Sequence, residues 1–297
     1  MNVQQGYLDL IWAAESRSLI KHDSTTPLLS AVEQERLIRG DYAEDFHRFL
    51  ASRSATMNHK VGLYFEVLVE FLITNVIKGR MIHCGQQVIE NGRTVGEVDF
   101  IFEHDSQIWH LEAAVKFYLF DSEACLIRDR LVGPNSSDSF ESKMERMFDV
   151  QLPLSQTYFP EVTKRLAFVK GVIFYPHHLF PSGMSSRSVV IDHLDLPDRL
   201  NGWHQKGVWC RASDCHSFLQ QRKTDQYVLR RKPSWLSDLC RPLDSTDLFS
   251  GPQMTTYLEQ HFRDSKRPLM LSALSKVEGG FQEVDRVFVV DDTWPWS

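Results

Sequence analysis

Asp99 and Glu112 lie thirteen residues apart in the stretch VGEVDFIFEHDSQIWHLEAAVKFYL, residues 95–119, which reads as two strands joined by a short polar turn. On the first strand Glu97, Asp99 and Ile101 share one face and Val98, Phe100 and Phe102 the other, the alternation of a half-buried strand. On the second, His110, Glu112, Ala114 and Lys116 oppose Leu111, Ala113, Val115 and Phe117. With Glu103 to Gln107 as the turn, antiparallel pairing sets Asp99 opposite Glu112, where facing side chains lie about 4.5–5.5 Å apart. Two carboxylates then converge beside a lysine. Like charges this close destabilise a sheet unless a cation, a shared proton or an exposed setting relieves them. A divalent metal answers best, because oxygen-only ligands suit Mg²⁺, which takes one or two carboxylates and leaves room for waters and a phosphate. The bland alternative is a surface hairpin with solvated charges.

Gly96-Glu97-Val98-Asp99-Phe100-Ile101, followed by Glu112, resembles the core of the PD-(D/E)XK nuclease superfamily, which carries GE(I/V)D on one strand and E-x-K on the next. Here Ala114 occupies the usual lysine position, and Lys116 stands two residues on, its Cα about 6.6 Å further along the strand. Upstream, Gly62-Leu63-Tyr64-Phe65-Glu66 resembles the G-x-x-x-E that opens the first helix of these nucleases. The resemblance spans about residues 59–176. It implies a restriction-endonuclease-like fold and hydrolysis of phosphodiester bonds in nucleic acid, DNA foremost, with Mg²⁺ or Mn²⁺. It further implies that Asp99, Glu112 and Glu66 hold the metal, that Glu97 contributes directly or through water, and that the Ala113 carbonyl adds a ligand. Lys116 would hold the attacking water or the developing charge, and Lys143 and Gln151 match a lysine or glutamine that several members place on the helix after the catalytic strands. For Lys116 to serve, its stem must bend back or a bulge near Ala113-Ala114 must draw it inward. Its ammonium is then expected within about 6 Å of a carboxylate oxygen of Asp99 or Glu112. The displaced lysine keeps a second reading open: a catalytically inactive nuclease fold that binds nucleic acid or protein.

The elements that must position these groups follow from periodicity. Helical spacing covers residues 7–20 and 31–53, an N-terminal helical cover over residues 1–58. Residues 60–78 form the strongest helix, apolar almost all round, with Glu66, Glu70, Thr74 and Lys78 on one narrow stripe. A strand at 81–90 ends in the hairpin signal Asn91-Gly92. After the central hairpin come a helix from near Asp138, a helix near 154–166 and a buried strand at 169–175. The expected fold is α/β, a mixed sheet of at least four strands with helices on both faces. The nuclease-like core takes residues 59–185, and the Ser, Gly and Pro of 181–186 mark the boundary to a C-terminal α+β extension, 186–297. That extension holds strands near 269–274 and 281–290 about a Gly279-Gly280 turn.

Between Asn201 and Arg241 eight Lys or Arg face three Asp, interleaved with Trp203, Trp209, Tyr227 and Trp235. Basic side chains for phosphates and aromatic faces for bases make Arg222, Lys223, Arg230, Arg231 and Lys232 candidate nucleic-acid contacts. A solvated charged face is the plainer meaning. The net charge of -6 argues against a surface coated for nonspecific nucleic-acid binding, without bearing on a local groove. Five scattered cysteines without a CxxC pair signal neither a disulfide framework nor a zinc ribbon, and suggest reduced thiols in a cytoplasm. No signal peptide or membrane span is expected from the N-terminus or from the apolar run Val61 to Ile77, which Glu66 and Glu70 interrupt.

Overall fold

Two tight turns organise the N-terminal half. The hairpin of β1 (Arg80–Glu90) and β2 (Arg93–His104) closes through Asn91 (φ 49°) and Gly92 (φ 76°), and that of β2 and β3 (Gln107–Phe120) through Asp105 (φ 49°) and Ser106 (φ 59°). Paired positive φ values suit the twist of the flanking strands. The second turn is shorter than Glu103–Gln107, so both strands gain length. The computed structural model describes residues 3–21, 28–53, 60–180, 184–188, 194–222, 224–239 and 247–296.

Beyond β3 the chain forms β4 (Leu131–Val132), β5 (Lys164–Pro176), β6 (Gln205–Arg211), β7 (Gln226–Arg230), β8 (Leu269–Val277) and β9 (Gly280–Val290). Among the described residues nine strands make one mixed sheet, ordered β1-β2-β3-β5-β6-β9-β8-β7, with β4 paired to β3. The central strands β3, β5, β6 and β9 run parallel, and antiparallel partners extend both sides. β6 to β9, which fall in the expected C-terminal extension, therefore continue the central sheet. The Pro181 to Gly183 part of the expected boundary lies outside the described residues.

Helices cover both faces. On one lie α1 (Val3–Glu15), α2 (Ala31–Arg39), α3 (Ala43–Ser52) and α4 (Val61–Phe71), packed on Leu111, Ala113, Val115, Phe117 and Leu119 of β3. On the other lie α5 (Phe140–Glu145), a π turn (Arg146–Gln151), α6 (Leu152–Tyr158), α7 (Cys215–Gln221) and α8 (Gly251–Asp264). Phe140, Met144, Leu152, Phe218 and Leu258 there meet Ala114, Tyr118 and Phe120. Among the described residues no helix is long and apolar enough to cross a membrane.

Three expected helices change. The first ends at Glu15 because the chain is drawn into sheet contacts: the Leu19 amide donates to the Val169 carbonyl at 2.8 Å, and Ile20 bridges Leu200. The helix expected over 31–53 splits at Gly40, whose φ of 88° supplies a left-handed cap. The helix expected over 154–166 stops at Tyr158, since Lys164 already pairs with Trp109.

Candidate functional site

β2 and β3 pair from His104↔Gln107 to Phe100↔Leu111 and then part. β2 runs on against β1 alone, while β3 pairs with β5 from Trp109 to Leu119. At this fork side chains replace the ladder. The Asp99 amide donates to Glu112 Oε1 at 3.2 Å, and the Ala113 amide donates to Asp99 Oδ2 at 2.8 Å. Gly96 can sit on the diverging arm only because it lacks a side chain: a Cβ there would lie 2.4 Å from Leu154 Cδ1.

Glu112 is 0% exposed and held on both oxygens. His110 Nε2 lies 2.8 Å from Oε1, and the Gln151 side-chain amide donates to Oε2. Gln151 Oε1 in turn accepts from Lys143 Nζ at 2.9 Å. Residues eight apart on a regular α-helix point about 80° away from each other, and the π turn between these two absorbs that offset. Behind Glu112, His110 Nδ1 meets Ser155 Oγ at 2.9 Å, and Arg165 Nε donates to the same oxygen at 2.9 Å.

The charges are crowded. Burial, then the Glu112 charge, pushes Asp99 up to about 8, with Glu66 adding to the rise and the Ala113 amide and Lys143 opposing it. Glu66, half-buried on α4, is raised by burial and then by Glu97 and Glu112. Lys143 is lowered by burial and by the nearby Lys116. Exposed Glu97 lies over Gly85, where a Cβ would stand 3.6 Å from its Oε1.

Glu66, Glu97, Asp99, Glu112, Lys143 and Gln151 are thus gathered at the fork, while Lys116 is engaged elsewhere. Its ammonium meets Asp138 Oδ2 at 2.6 Å, and the expected bulge near Ala113-Ala114 is absent, since β3 keeps unbroken register with β5. The reason is local. Lys116 stands opposite Gly171, where a Cβ would come 1.9 Å from the Lys116 carbonyl oxygen, so the backbone lies tight against β5 with no slack to bulge. The ammonium whose field reaches Asp99, Glu112 and Glu66 is that of Lys143. His110, Ser155 and Arg165 went unnoticed in the sequence; the signal was the i, i+2 placement of His110 on the face of Glu112.

Oxygen ligands and surplus negative charge are what a hard divalent ion requires. Asp99 Oδ1 accepts no hydrogen bond among the described residues, so one carboxylate oxygen stays free for such an ion. As the side chains stand, no three acidic, histidine or cysteine groups among the described residues form a cage. The donor chemistry fits Mg²⁺ or Mn²⁺, with the Gln151 amide now on the Glu112 oxygen that such an ion would share.

Two of the five basic residues expected as nucleic-acid contacts are engaged inside the protein. Arg230 is 5% exposed and donates to Glu283 Oε2 at 3.1 Å, and Arg222 donates to Asp285 Oδ2 at 2.5 Å. Both serve buried ion pairs, because β9 carries the complementary acids, Glu283 and Asp285, into the core. Lys232 lies over the Trp235 ring at 4.7 Å, Arg231 is exposed, and Lys223 lies outside the described residues. Trp209, Tyr227 and Trp235 are core residues.

A family model described as a domain of unknown function, DUF1853, matches residues 8–290. The chain belongs to the DUF1853 family. That match covers the fork, both helical faces and all nine strands of the sheet, so the site lies within the family domain. No curated protein matches the chain, and no solved structure does.

Proposed function

We propose that this DUF1853 domain hydrolyses phosphodiester bonds of nucleic acid, DNA foremost, at the fork between β2 and β3, on a restriction-endonuclease-like fold. The reading rests on one observation: Glu66, Asp99, Glu112 and the Lys143–Gln151 pair meet where the two strands part. Asp99 and Glu112 would hold Mg²⁺ or Mn²⁺, with Glu66 beside them. The chemistry supplied by the bound ion is neutralisation of charge on the scissile phosphate and a lowered pKa for an attacking water. Lys143, placed through Gln151 against Glu112, stabilises the charge that develops on the phosphate, the role that the sequence pattern gave to Lys116. His110 fixes the Glu112 carboxylate from behind, so that Oε2 remains the oxygen turned toward Gln151.

Cleavage of linear, nicked and single-stranded DNA with Mg²⁺ or Mn²⁺, by wild type and Asp99→Ala, tests the proposal. Activity in the wild type that vanishes in the variant supports it, and activity that survives sinks it.

A second reading, a nuclease fold acting as a binding module, is favoured by two contacts: the Lys116–Asp138 pair and the Gln151 amide on Glu112. Titration of Mg²⁺ against thermal stability separates the two, because a ligand that binds only the native state raises Tm by mass action. An inactive module shows no rise.

A further inference from the structure

On the face of the sheet that carries α1, away from the acidic fork, lies a cavity of about 830 Å³. Its size falls within the range of roughly 300–1,000 Å³ typical of small-molecule sites. Apolar walls come from Leu8, Ile11 and Trp12 of α1 and from Val172 of β5. Arg17, Arg187, Lys206 and Arg286 face it against Glu15 and Asp238, an excess of cations in a chain whose net charge is -6.

Two features give the cavity an orientation. Trp203 lines it and is 75% exposed, with the Arg17 guanidinium 5.3 Å from its ring centroid. The indole stands on a fixed turn. Asn201 donates through its side chain to the Ser18 carbonyl at 2.9 Å and accepts from the Trp203 amide at 3.0 Å. His204, next in the chain, is held by Asn201 and by the Tyr175 hydroxyl, and Trp12 Nε1 donates to Gln205 at 2.9 Å. A large aromatic held outward on a pinned turn is a pre-ordered stacking surface, since little entropy remains to be lost when a planar group lands on it. Deeper in, Arg187 and Arg286 share two acids: Asp238, at 2.8 Å and 2.9 Å, and the buried Glu283, at 3.4 Å and 2.8 Å, so Arg17 at the rim is the cation left facing the cavity beside Trp203.

We propose that this cavity binds a 5′-mononucleotide, its base stacked on Trp203 and its phosphate held by Arg17. The site is separate from the fork and stands whether or not the fork hydrolyses nucleic acid. Arginine suits both halves of such a ligand, because the guanidinium stacks on planar rings and pairs with phosphate oxygens.

The test is calorimetric titration of the full chain with AMP, GMP, CMP and UMP, beside adenosine and inorganic phosphate as half-ligands. At least one mononucleotide should saturate at one site per chain and bind about tenfold or more tightly than either half-ligand. Trp203→Ala should weaken it by about tenfold, given the usual worth of one base on one aromatic ring. Arg17→Gln should weaken the mononucleotide more than adenosine. Both positions are exposed, so folding is preserved, and unchanged melting temperatures verify it. Asp99→Asn should bind as wild type does. The proposal is overturned if no mononucleotide binds at millimolar concentration, if both pocket variants bind as wild type, or if Asp99→Asn alone abolishes binding.

Discussion

The amide of Asp99 donates to Glu112 Oε1 at 3.2 Å, while the amide following Glu112 donates to Asp99 Oδ2 at 2.8 Å, so each acid closes the strand of the other. Two carboxylates are thereby fixed side by side at the point where the sheet stops holding them apart. Their repulsion is built into the fold, and it governs how the protein responds to pH, metal and substitution.

Stability without metal should fall as pH rises from about 4 to about 8. The native Asp99 carboxyl is pushed up to about 8, against 3.8 for an unperturbed aspartate, so over this window the folded state binds a proton that the unfolded state has released. Below the window both states are protonated and the penalty is absent. Asp99→Asn, which keeps an oxygen for the Ala113 amide, should match wild type near pH 4 and exceed it at pH 8 by roughly 1–2 kcal/mol. Chemical denaturation in EDTA at the two pH values reads the difference, and a wild type that outlasts the variant at pH 8 would contradict it.

The two lysines should separate in a cleavage assay. Lys143→Ala is expected to lower kcat by about 10²-fold or more, the usual scale for a lost electrostatic or acid-base group. Lys116→Ala should leave kcat within about threefold and cost at most about 1 kcal/mol, as befits a partly exposed pair with Asp138. Equal losses in both variants would return the catalytic role to Lys116.

Gly96→Ala places a Cβ 2.4 Å from Leu154 Cδ1 and should destabilise by about 1–3 kcal/mol through overpacking. Adding Leu154→Ala makes room, so the double variant should lose less than the sum of the singles. Denaturation of the four proteins in the cycle measures that coupling, and strict additivity would place the cause elsewhere.

Arg230→Ala should cost about 1–3 kcal/mol, because it takes from the buried Glu283 carboxylate the cation on its Oε2 and leaves only Arg286 and Arg187, on Oε1. Arg231→Ala, exposed, should change stability by no more than about 0.5 kcal/mol. If nucleic acid binds through this region, only Arg231 should alter the salt dependence of affinity. A loss of affinity with intact stability in Arg230→Ala would restore the basic run as a binding face.

The hairpins and the two acids were legible because they rest on local rules. Asn91-Gly92 announces its turn, and period-two alternation alone places Asp99 and Glu112 on one face. Helix α4 was equally plain, being apolar nearly all round. What escaped depends on partners distant in sequence. Arg222 and Arg230 read as a solvent face because their acids lie 63 and 53 residues downstream, on β9. The contacts of the two lysines escaped too, since they turn on the loop that brings Asp138 to Lys116 and on a π turn, between Lys143 and Gln151, that no spacing rule reveals. The break at Gly40 was readable, and the continuous helix expected over 31–53 passed over it.

The sheet order carries a consequence for how the chain is made. β9, made after β6, β7 and β8, is inserted between β6 and β8 and brings Glu283 and Asp285 to Arg230 and Arg222. Until residue 290 has emerged, the outer edge of β6 has no neighbour, and Arg222 and Arg230 lack the carboxylates that β9 brings to them. A nascent chain at that stage presents an open strand and uncompensated charge together, so a holding chaperone would find its preferred target there. Closure of the sheet and neutralisation of its core occur in the same step of synthesis.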